Sequence, residues 1–143
     1  MSLNKLTKNI TEWGIDKGIL SPNVQNYYIS KWNNPPAIDD ADADHVEITV
    51  ARAKAQLDKT IEEVKELEAA IMNALTLPKE LKNNEIKDAI GDIYVTLVMQ
   101  AGVWGLEIEE CVEYAYTQIK DRKGKMVKGV FVKEEKEEEK MTE

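Results

Sequence analysis

The sequence predicts an all-α protein, a bundle of four to five helices, from its composition and from the spacing of its apolar residues. Only seven glycines and four prolines interrupt the 143 residues, and aromatic residues make up 6% of them. Alanine, glutamate, lysine, leucine and isoleucine dominate, and these residues favour helices over sheets. Apolar residues also recur every three or four positions over long stretches, which is the period of an α-helix. A chain of this length is expected to form one domain with a substantial core.

Four helices can be placed along the chain from these spacings and from their start and stop signals. Their predicted starts are Leu3, Asp44, Asn83 or Asn84, and Ile108, and their stop signals are Gly14 and Gly18, Pro78, Gly102 with Gly105, and Gly124. The third helix is apolar nearly all round from Ile93 onward, which is typical of a buried helix. A short extended segment at 127–132 follows the last helix.

One helical domain is expected at residues 1–132, with an insertion at 23–44. Pro22, Pro35, Pro36 and a run of aspartates break the helical spacing in and beside this segment. Irregular segments of such length in small domains are often functional loops or insertions. Residues 133–143 are charged and of low complexity, so this tail is expected to be disordered.

Charge and composition exclude several classes of function. The net charge of −8, without a basic stripe, argues against binding nucleic acid through its phosphates. One cysteine and one histidine cannot form the usual zinc sites, nor the two Glu-x-x-His pairs of a di-iron bundle. No window approaches the roughly 20 apolar residues of a membrane span, and the N-terminus lacks a signal-peptide pattern. Cys111 cannot form an intrachain disulfide, which fits a reducing compartment. Together, these observations predict a cytoplasmic protein that does not bind a membrane.

The second predicted helix carries three glutamates, Glu62, Glu63 and Glu66, within little more than one turn. The nine residues of its apolar stripe are Val46, Val50, Ala53, Leu57, Ile61, Val64, Leu67, Ile71 and Leu75. Glu62 and Glu66 fall almost opposite this stripe, and Glu63 falls on its flank. Taken alone, the pattern is typical of a solvated helix face.

The third predicted helix changes this interpretation. Glu85, Asp88 and Asp92 lie along one line of that helix, and the same line continues into apolar residues. A plain solvent face would not become apolar one turn later, so part of this line is expected to be buried. Buried carboxylates without a partner are costly or have a raised pKa, so a cation is expected there. A short connection joins the two acidic helices, and antiparallel packing would bring their carboxylates near each other.

A site built from carboxylates alone suits Mg²⁺, with Mn²⁺ as the second candidate. Magnesium binds one or two carboxylates together with waters and substrate phosphates. Such sites serve phosphoryl chemistry, in which metal ions neutralise a polyphosphate, position it and activate a water. The candidate metal ligands are Glu63, Glu66, Asp88, Asp92 and Glu85.

The order of these motifs resembles the MazG-like superfamily of all-α nucleoside triphosphate pyrophosphohydrolases. Glu62-Glu63-x-x-Glu66 is similar to its Glu-Glu-x-x-Glu hallmark, and Ile90-Gly91-Asp92 is similar to the end of its second acidic motif. Segments at 10–14, 56–60, 120–126 and 129–132 further resemble a subgroup often found in phage genomes. The resemblance covers most of residues 3–133, apart from the expected insertion.

The resemblance implies magnesium-dependent hydrolysis of a nucleoside triphosphate between its α and β phosphates. The products would be a nucleoside monophosphate and pyrophosphate, and the role would be house-cleaning of the nucleotide pool. It implies that Glu63, Glu66 and Asp92 are metal ligands. Glu62 and Glu63 are the candidate catalytic residues, since the first motif position binds metal or activates water.

The chain departs from the family pattern at Ala89, which stands three residues before Asp92 where the motif has a glutamate. Asp88 could take over this role together with Asp92, and this is the arrangement that we favour. Alternatively, Glu85 and Asp88 could be the operative pair, with Asp92 in support.

Four basic residues are candidates for binding the substrate phosphates: Lys59, Arg122, Lys123 and Lys125. Each also has a purely structural explanation. Lys59 could form a surface ion pair with Glu63, and the other three could interact with a helix C-terminus. Trp13 is a candidate for stacking on the base, with a place in the core as the alternative.

A homodimer or homotetramer is expected, because one chain has too few helices to enclose both the site and the opposed apolar faces. The alternative to an enzyme is a non-enzymatic helical interaction or regulatory module whose acidic faces are solvated.

Overall fold

The computed structural model describes residues 1–20 and 40–134, and for residues 40–45 it describes the backbone alone. Most of the expected insertion at 23–44 and of the tail at 133–143 therefore lies outside the described residues. The chain divides into two compact units, Met1–Ile108 and Glu109–Glu143.

The described residues are mostly helical, which confirms the all-α class. The helices are α1 (Leu3–Asp16), α2 (Asp40–Asn73), α3 (Lys79–Val103) and α4 (Ile108–Ile119), and the strands are β1 (Gly124–Val127) and β2 (Val130–Lys133). The two strands pair as an antiparallel hairpin. Within the described ranges, no single helix is long and apolar enough to cross a membrane. Helices α3 and α4 taken together, with a sharp bend between them, reach the required length and apolar composition, and this is judged from length and composition alone.

Several helix ends differ from the predicted ones; helix α2, for example, begins at Asp40 and not at Asp44. Helix α1 continues past Gly14 to Asp16, and Gly18, with a φ of 78°, lies just beyond its end. Gly14 is buried, and a Cβ at that position would collide with the Met99 side chain, so this glycine lies at a close packing contact inside the helix and does not end it. Helix α3 begins at Lys79, directly after Pro78, and not at the asparagines predicted to cap it. Proline suits a helix start, because its φ is preset and the first N–H groups have no intrahelical partner.

Helices α2 and α3 form the largest interhelical contact of the first unit, through small and polar residues. Ala53, Ala70 and Ala89 are buried, and so is Thr96. The Thr60 hydroxyl donates to the Thr96 hydroxyl at 2.9 Å. Farther along, the Gln100 amide donates to the Ala53 carbonyl at 3.0 Å. These two hydrogen bonds fix the register of the two helices.

The apolar core of this unit lies where α1 and the turn after it pack against the C-terminal half of α3. Its buried members are Leu20, Ala53, Val98, Met99 and Val103. A Cβ on Gly102 would lie 2.7 Å from Leu20 Cδ1, so the turn approaches α3 closely. The predicted buried character of α3 beyond Ile93 is therefore confirmed for this half of the helix.

The apolar stripe of α2 is mostly outside this core. Seven of its nine residues are exposed, and the exposed fractions of Val50 and Ile61 are 51% and 45%. Ile90 and Leu97, which belong to the predicted apolar line of α3, are also exposed. Helix α2 turns its small and polar face toward α3, so most of this stripe is exposed in the single chain.

Candidate metal centre

Glu63 is a buried carboxylate at the contact between α2 and α3, with only 6% of the residue exposed. It follows Thr60 by three positions on the helix face that packs against α3, and this spacing carries its side chain inward. Its Oε1 lies 2.9 Å from the Lys59 Nζ, one turn earlier. Its Oε2 is buried and accepts no hydrogen bond from the residues that the structure describes. A buried carboxylate oxygen without a partner is costly, so this atom points to a missing ligand.

Glu66 and Asp92 join Glu63 in one cluster. One carboxylate oxygen from each residue lies within 4.8 Å of the others. Glu66 is the next glutamate on the same face of α2, whereas Asp92 is half-buried and comes from α3. Two helices therefore contribute to a single group of oxygens.

The pKa values of these three carboxyl groups shift in opposite directions. The hydrogen bond from Lys59 lowers the pKa of Glu63, against the effect of its burial. The nearby Glu63 carboxylate, first through its side-chain interaction with Glu66 and then through its charge, raises the pKa of Glu66. Desolvation raises the pKa of Asp92, and the charges of Asp88 and Glu63 add to this effect. Glu66 and Asp92 are thus held at a cost as anions, and a cation between the three groups would relieve it.

The residues present fit a hard divalent cation. Three oxygens within 4.8 Å of one another could share one Mg²⁺, whose bonds to oxygen are about 2.1 Å long. All the donors are carboxylate oxygens, which suit magnesium or manganese and not zinc or copper. Three protein ligands leave positions on a six-coordinate ion for water and for phosphate oxygens.

A cleft of about 240 Å³ lies beside the cluster and shares Glu66 with it. Its lining residues are Glu66, Ala69, Ala70, Asn73, Glu85, Asp88 and Ala89. Glu85 and Asp88 are exposed and line this cleft, and their carboxylates are not part of the cluster formed by Glu63, Glu66 and Asp92. From the sequence we favoured Asp88 and Asp92 as a pair of metal ligands. In the structure the charge of Asp88 acts on Asp92, but only Asp92 belongs to the cluster.

Ala89 is buried in the wall of the same cleft. It contributes no donor, and the site is left with Asp92 alone from α3 in the three-residue cluster. The small side chain keeps this part of the cleft open beside Ala70. At this position the wall of the cleft therefore carries a methyl group and no carboxylate.

The other candidate residues take different places. Glu62 is exposed and lies 3.3 Å from the Lys59 ammonium through its Oε1, outside the metal cluster. Trp13 is on α1 and is 45% exposed, so it is not a core residue of the single chain. The three basic candidates near the C-terminal end of the chain, Arg122, Lys123 and Lys125, are exposed residues of the second unit.

Sequence reasoning missed the residues that shape the cleft. Ala69, Ala70 and Asn73 form its α2 side and carry no motif of their own. One signal was available, since small residues recur at 70 and 74 behind Glu63 and Glu66, and alanines allow helices to approach closely. This recurrence of small residues was overlooked because the larger apolar residues of the stripe give the stronger helical pattern.

Comparison with protein-family models, with curated proteins and with solved structures gives no significant match. The resemblance to the MazG-like superfamily therefore stays a prediction from the motifs of this sequence. What the geometry adds is a cluster of three carboxylates that could hold a metal ion.

Proposed function

We propose that the protein is a magnesium-dependent nucleoside triphosphate pyrophosphohydrolase of the MazG-like type. It would cleave a ribo- or deoxynucleoside triphosphate to the monophosphate and pyrophosphate, with Mn²⁺ as a substitute metal. The observation that carries this proposal is the buried Oε2 of Glu63, which has no hydrogen-bond partner among the described residues and lies in a group with Glu66 and Asp92. A solvated acidic face would leave no such atom.

In this proposal Glu63, Glu66 and Asp92 hold the metal, and Glu85 and Asp88 line the approach to it. When bound, the ion would neutralise charge on the triphosphate and lower the pKa of a water. The low pKa of Glu63 keeps that carboxylate ionised, so it accepts a bond to a cation and has no proton to give.

Glu62 is the candidate base in this scheme, because its exposed carboxylate is not one of the three grouped oxygens. The water oxygen forms a bond to the α phosphorus while Glu62 accepts a proton from that water at a carboxylate oxygen, and the bond from the α phosphorus to the bridging oxygen breaks. Pyrophosphate leaves with the electron pair of the broken bond. Lys59 is proposed to bind the phosphates, since ammonium groups pair with phosphate oxygens. Arg122, Lys123 and Lys125 belong to the second unit and keep the same candidate role from the sequence alone.

The proposed assembly is a homodimer or homotetramer in which second copies cover the apolar stripe of α2. The exposed fractions of Leu57, Ile61 and Val64 all lie between 45% and 48%. Contiguous apolar patches of this kind in water-soluble chains are commonly interaction surfaces. We favour self-association over another partner because α3 also exposes apolar residues, Ile90 and Leu97. The apolar stripe of α2 in one copy could pack against these residues in a second copy.

The direct test is the release of products from a panel of canonical and modified triphosphates in the presence of Mg²⁺. We expect equal amounts of pyrophosphate and nucleoside monophosphate from the preferred substrate. Glu66→Gln and Asp92→Asn should each lower kcat by about a hundredfold or more, as loss of a charge-stabilising group does. Glu68→Gln is the matched control, because Glu68 is an exposed residue of the same helix outside the cluster and the cleft. Release of inorganic phosphate, or no turnover together with no metal binding, would contradict the proposal.

The second candidate function is a non-enzymatic helical interaction or regulatory module, which the exposed apolar stripe of α2 also favours. The two functions differ in what the acidic residues do. In a pure interaction module, removal of Glu63, Glu66 or Asp92 would leave partner binding unchanged, and millimolar Mg²⁺ would not raise the melting temperature.

A further inference from the structure

Lys59 is the cation that the metal site holds in the described structure. Its Nζ lies 2.9 Å from Glu63 Oε1 and 3.3 Å from Glu62 Oε1. The first carboxylate is buried and belongs to the metal cluster, whereas the second is exposed and does not. A single ammonium therefore bridges a group inside the cluster and a group beside it.

We infer that Lys59 is an exchangeable counter-ion of the metal site: a divalent cation displaces its ammonium from Glu63, and the ammonium moves to Glu62. This inference rests on the proposed metal centre, and in it Lys59 regulates the binding of the divalent cation to that centre. The Oε2 of Glu63 is free to receive the cation, so binding can begin before the ammonium leaves.

Repulsion between the two cations drives the exchange. An ammonium on one oxygen of a carboxylate and a divalent ion on the other would lie about 4–5 Å apart, and two like charges at that distance repel strongly wherever water is partly excluded. Glu63 is buried, so screening at this position is weak. The side chain of Lys59 is 49% exposed and is free to move, whereas the three carboxylates are fixed on two packed helices.

Glu62 gives the displaced ammonium a place to bind. Its carboxylate is already within 3.3 Å, and its side chain is exposed. The ammonium would then stand at the edge of the metal site, where it can meet a phosphate oxygen that reaches the metal. Metal binding and phosphate binding would be linked through this one side chain.

The test is the affinity of the full chain for Mn²⁺ alone, measured by calorimetry for the wild type, Lys59→Met, Lys59→Arg and Lys54→Met. Lys54 is the matched control, because it forms an i,i+4 ion pair with Asp58 on the same helix at 3.1 Å and does not contact the cluster. Methionine retains helix propensity and most of the lysine stem, so the variants should fold alike. We expect Lys59→Met to bind Mn²⁺ about tenfold more tightly than the wild type, while Lys59→Arg and Lys54→Met stay near the wild-type value.

Pyrophosphate binding in saturating Mn²⁺ is the second measurement. We expect Lys59→Met to bind pyrophosphate several-fold more weakly than the wild type, with Lys59→Arg close to the wild type. A gain in Mn²⁺ affinity no larger than that of Lys54→Met, or a loss of affinity, overturns the counter-ion exchange. Unchanged pyrophosphate binding in Lys59→Met overturns the link to phosphate. Absence of Mn²⁺ binding by the wild type would instead overturn the metal centre itself, so the two failures are distinguishable.

Discussion

In most amphipathic helices the apolar face is buried and the polar face is exposed, whereas two faces of helix α2 show the reverse. The site face, defined by Thr49, Ala53, Thr60, Glu63 and Ala70, is small or polar, and all of it is buried or half-buried. The apolar stripe lies beside this face around the helix and shares only Ala53 with it, and most of the stripe is exposed. Hydrophobicity and burial are thus separated on one helix. The candidate metal centre lies on the buried site face, and most of the apolar stripe is exposed.

The site face is stable in the interior because nearly all of its polar groups have partners. The Thr60 and Thr96 hydroxyls bond to each other, and the Ala53 carbonyl accepts from Gln100. Gln100 in turn accepts from the Trp104 indole N–H at 2.9 Å. Against this background, the unpartnered Oε2 of Glu63 stands out, and the difference between it and its satisfied neighbours is what locates the site.

The largest expected effect separates the two faces by their role in assembly. Leu57→Glu combined with Ile61→Glu places two carboxylates in the apolar stripe. Full burial of a leucine or isoleucine contributes about 1.5–3 kcal/mol, and these half-exposed side chains retain about half of that for an interface. Each substitution also occurs in both copies of a symmetric dimer. We expect the dimer to associate more weakly, with a Kd at least about a hundredfold higher than that of the wild type, measured by sedimentation, and with helix content unchanged.

Lys65→Glu is the control for that double variant, since it makes the same change in net charge at an exposed site of α2. It should leave the assembly intact. A wild-type chain that stays monomeric at high micromolar concentration would contradict the role assigned to the stripe.

The next effect tests how tightly the interior is packed, with the same substitution at two sites of α3. A Cβ on Gly102 would lie 2.7 and 2.9 Å from the two δ-carbons of Leu20, whereas a Cβ on Gly91 would meet nothing within 4 Å. We expect Gly102→Ala to lower the free energy of unfolding by about 1–3 kcal/mol through overpacking. Gly91→Ala should raise it by about 0.5–1 kcal/mol, because alanine is the better helix former. Urea denaturation measures both, and equal effects at the two sites would contradict the close approach of Leu20 to α3.

Much of the fold could be predicted from the sequence, because the pattern that indicates a helix lies within the helical segment itself. The period of the apolar residues predicted the helical class, and the glutamate spacing predicted the pairing of Glu63 with Glu66. The choice of which face of α2 turns inward did not follow, because it depends on contacts with α3 that lie about 30 residues away. The apolar stripe has the stronger local pattern, and the small residues of the site face only become meaningful once Ala70 and Ala89 are seen on two packed helices.

The metal cluster was predictable in part for the same reason. Asp92 was expected to be partly buried from the apolar continuation of its line, and the structure confirms this. The separation of Asp92 from Asp88 and Glu85 was not predictable, since all three share one line on the sequence pattern. Only the position of α2 decides that Asp92 faces Glu63 while the other two line the cleft.

A smaller effect tests the polar bond inside the site face. Thr60→Val and Thr96→Val each remove one hydroxyl of the interhelical pair and leave the other without that bond. Each should lower the free energy of unfolding by about 1 kcal/mol, and the double variant should cost less than the sum of the two. A double-mutant cycle with additive effects would show that the two hydroxyls are not coupled.

The smallest effect concerns the charge of the site in the absence of metal. Asp92 and Asp88 are like charges four positions apart, and such pairs destabilise a helix by about 0.2–0.5 kcal/mol. The pKa of Asp92 is raised mainly by desolvation, with the charge of Asp88 second, so Asp92→Asn should stabilise the metal-free protein by about 0.5 kcal/mol. Glu63→Gln should bring no such gain, because its charge is compensated by Lys59, which lowers the pKa of Glu63. The melting temperature of each variant, measured with a chelator present, checks this difference.

Added Mn²⁺ should reverse the order of these proteins. At a concentration one hundred times its Kd, a ligand stabilises the folded state by about 2.7 kcal/mol, so the wild type should overtake Asp92→Asn. The variant lacks one of three ligands and should respond far less. If the wild type and Asp92→Asn gain equally from Mn²⁺, the metal binds elsewhere. In that case the unpartnered oxygen of Glu63 needs a different explanation, and the site face of α2 would be a polar packing surface alone.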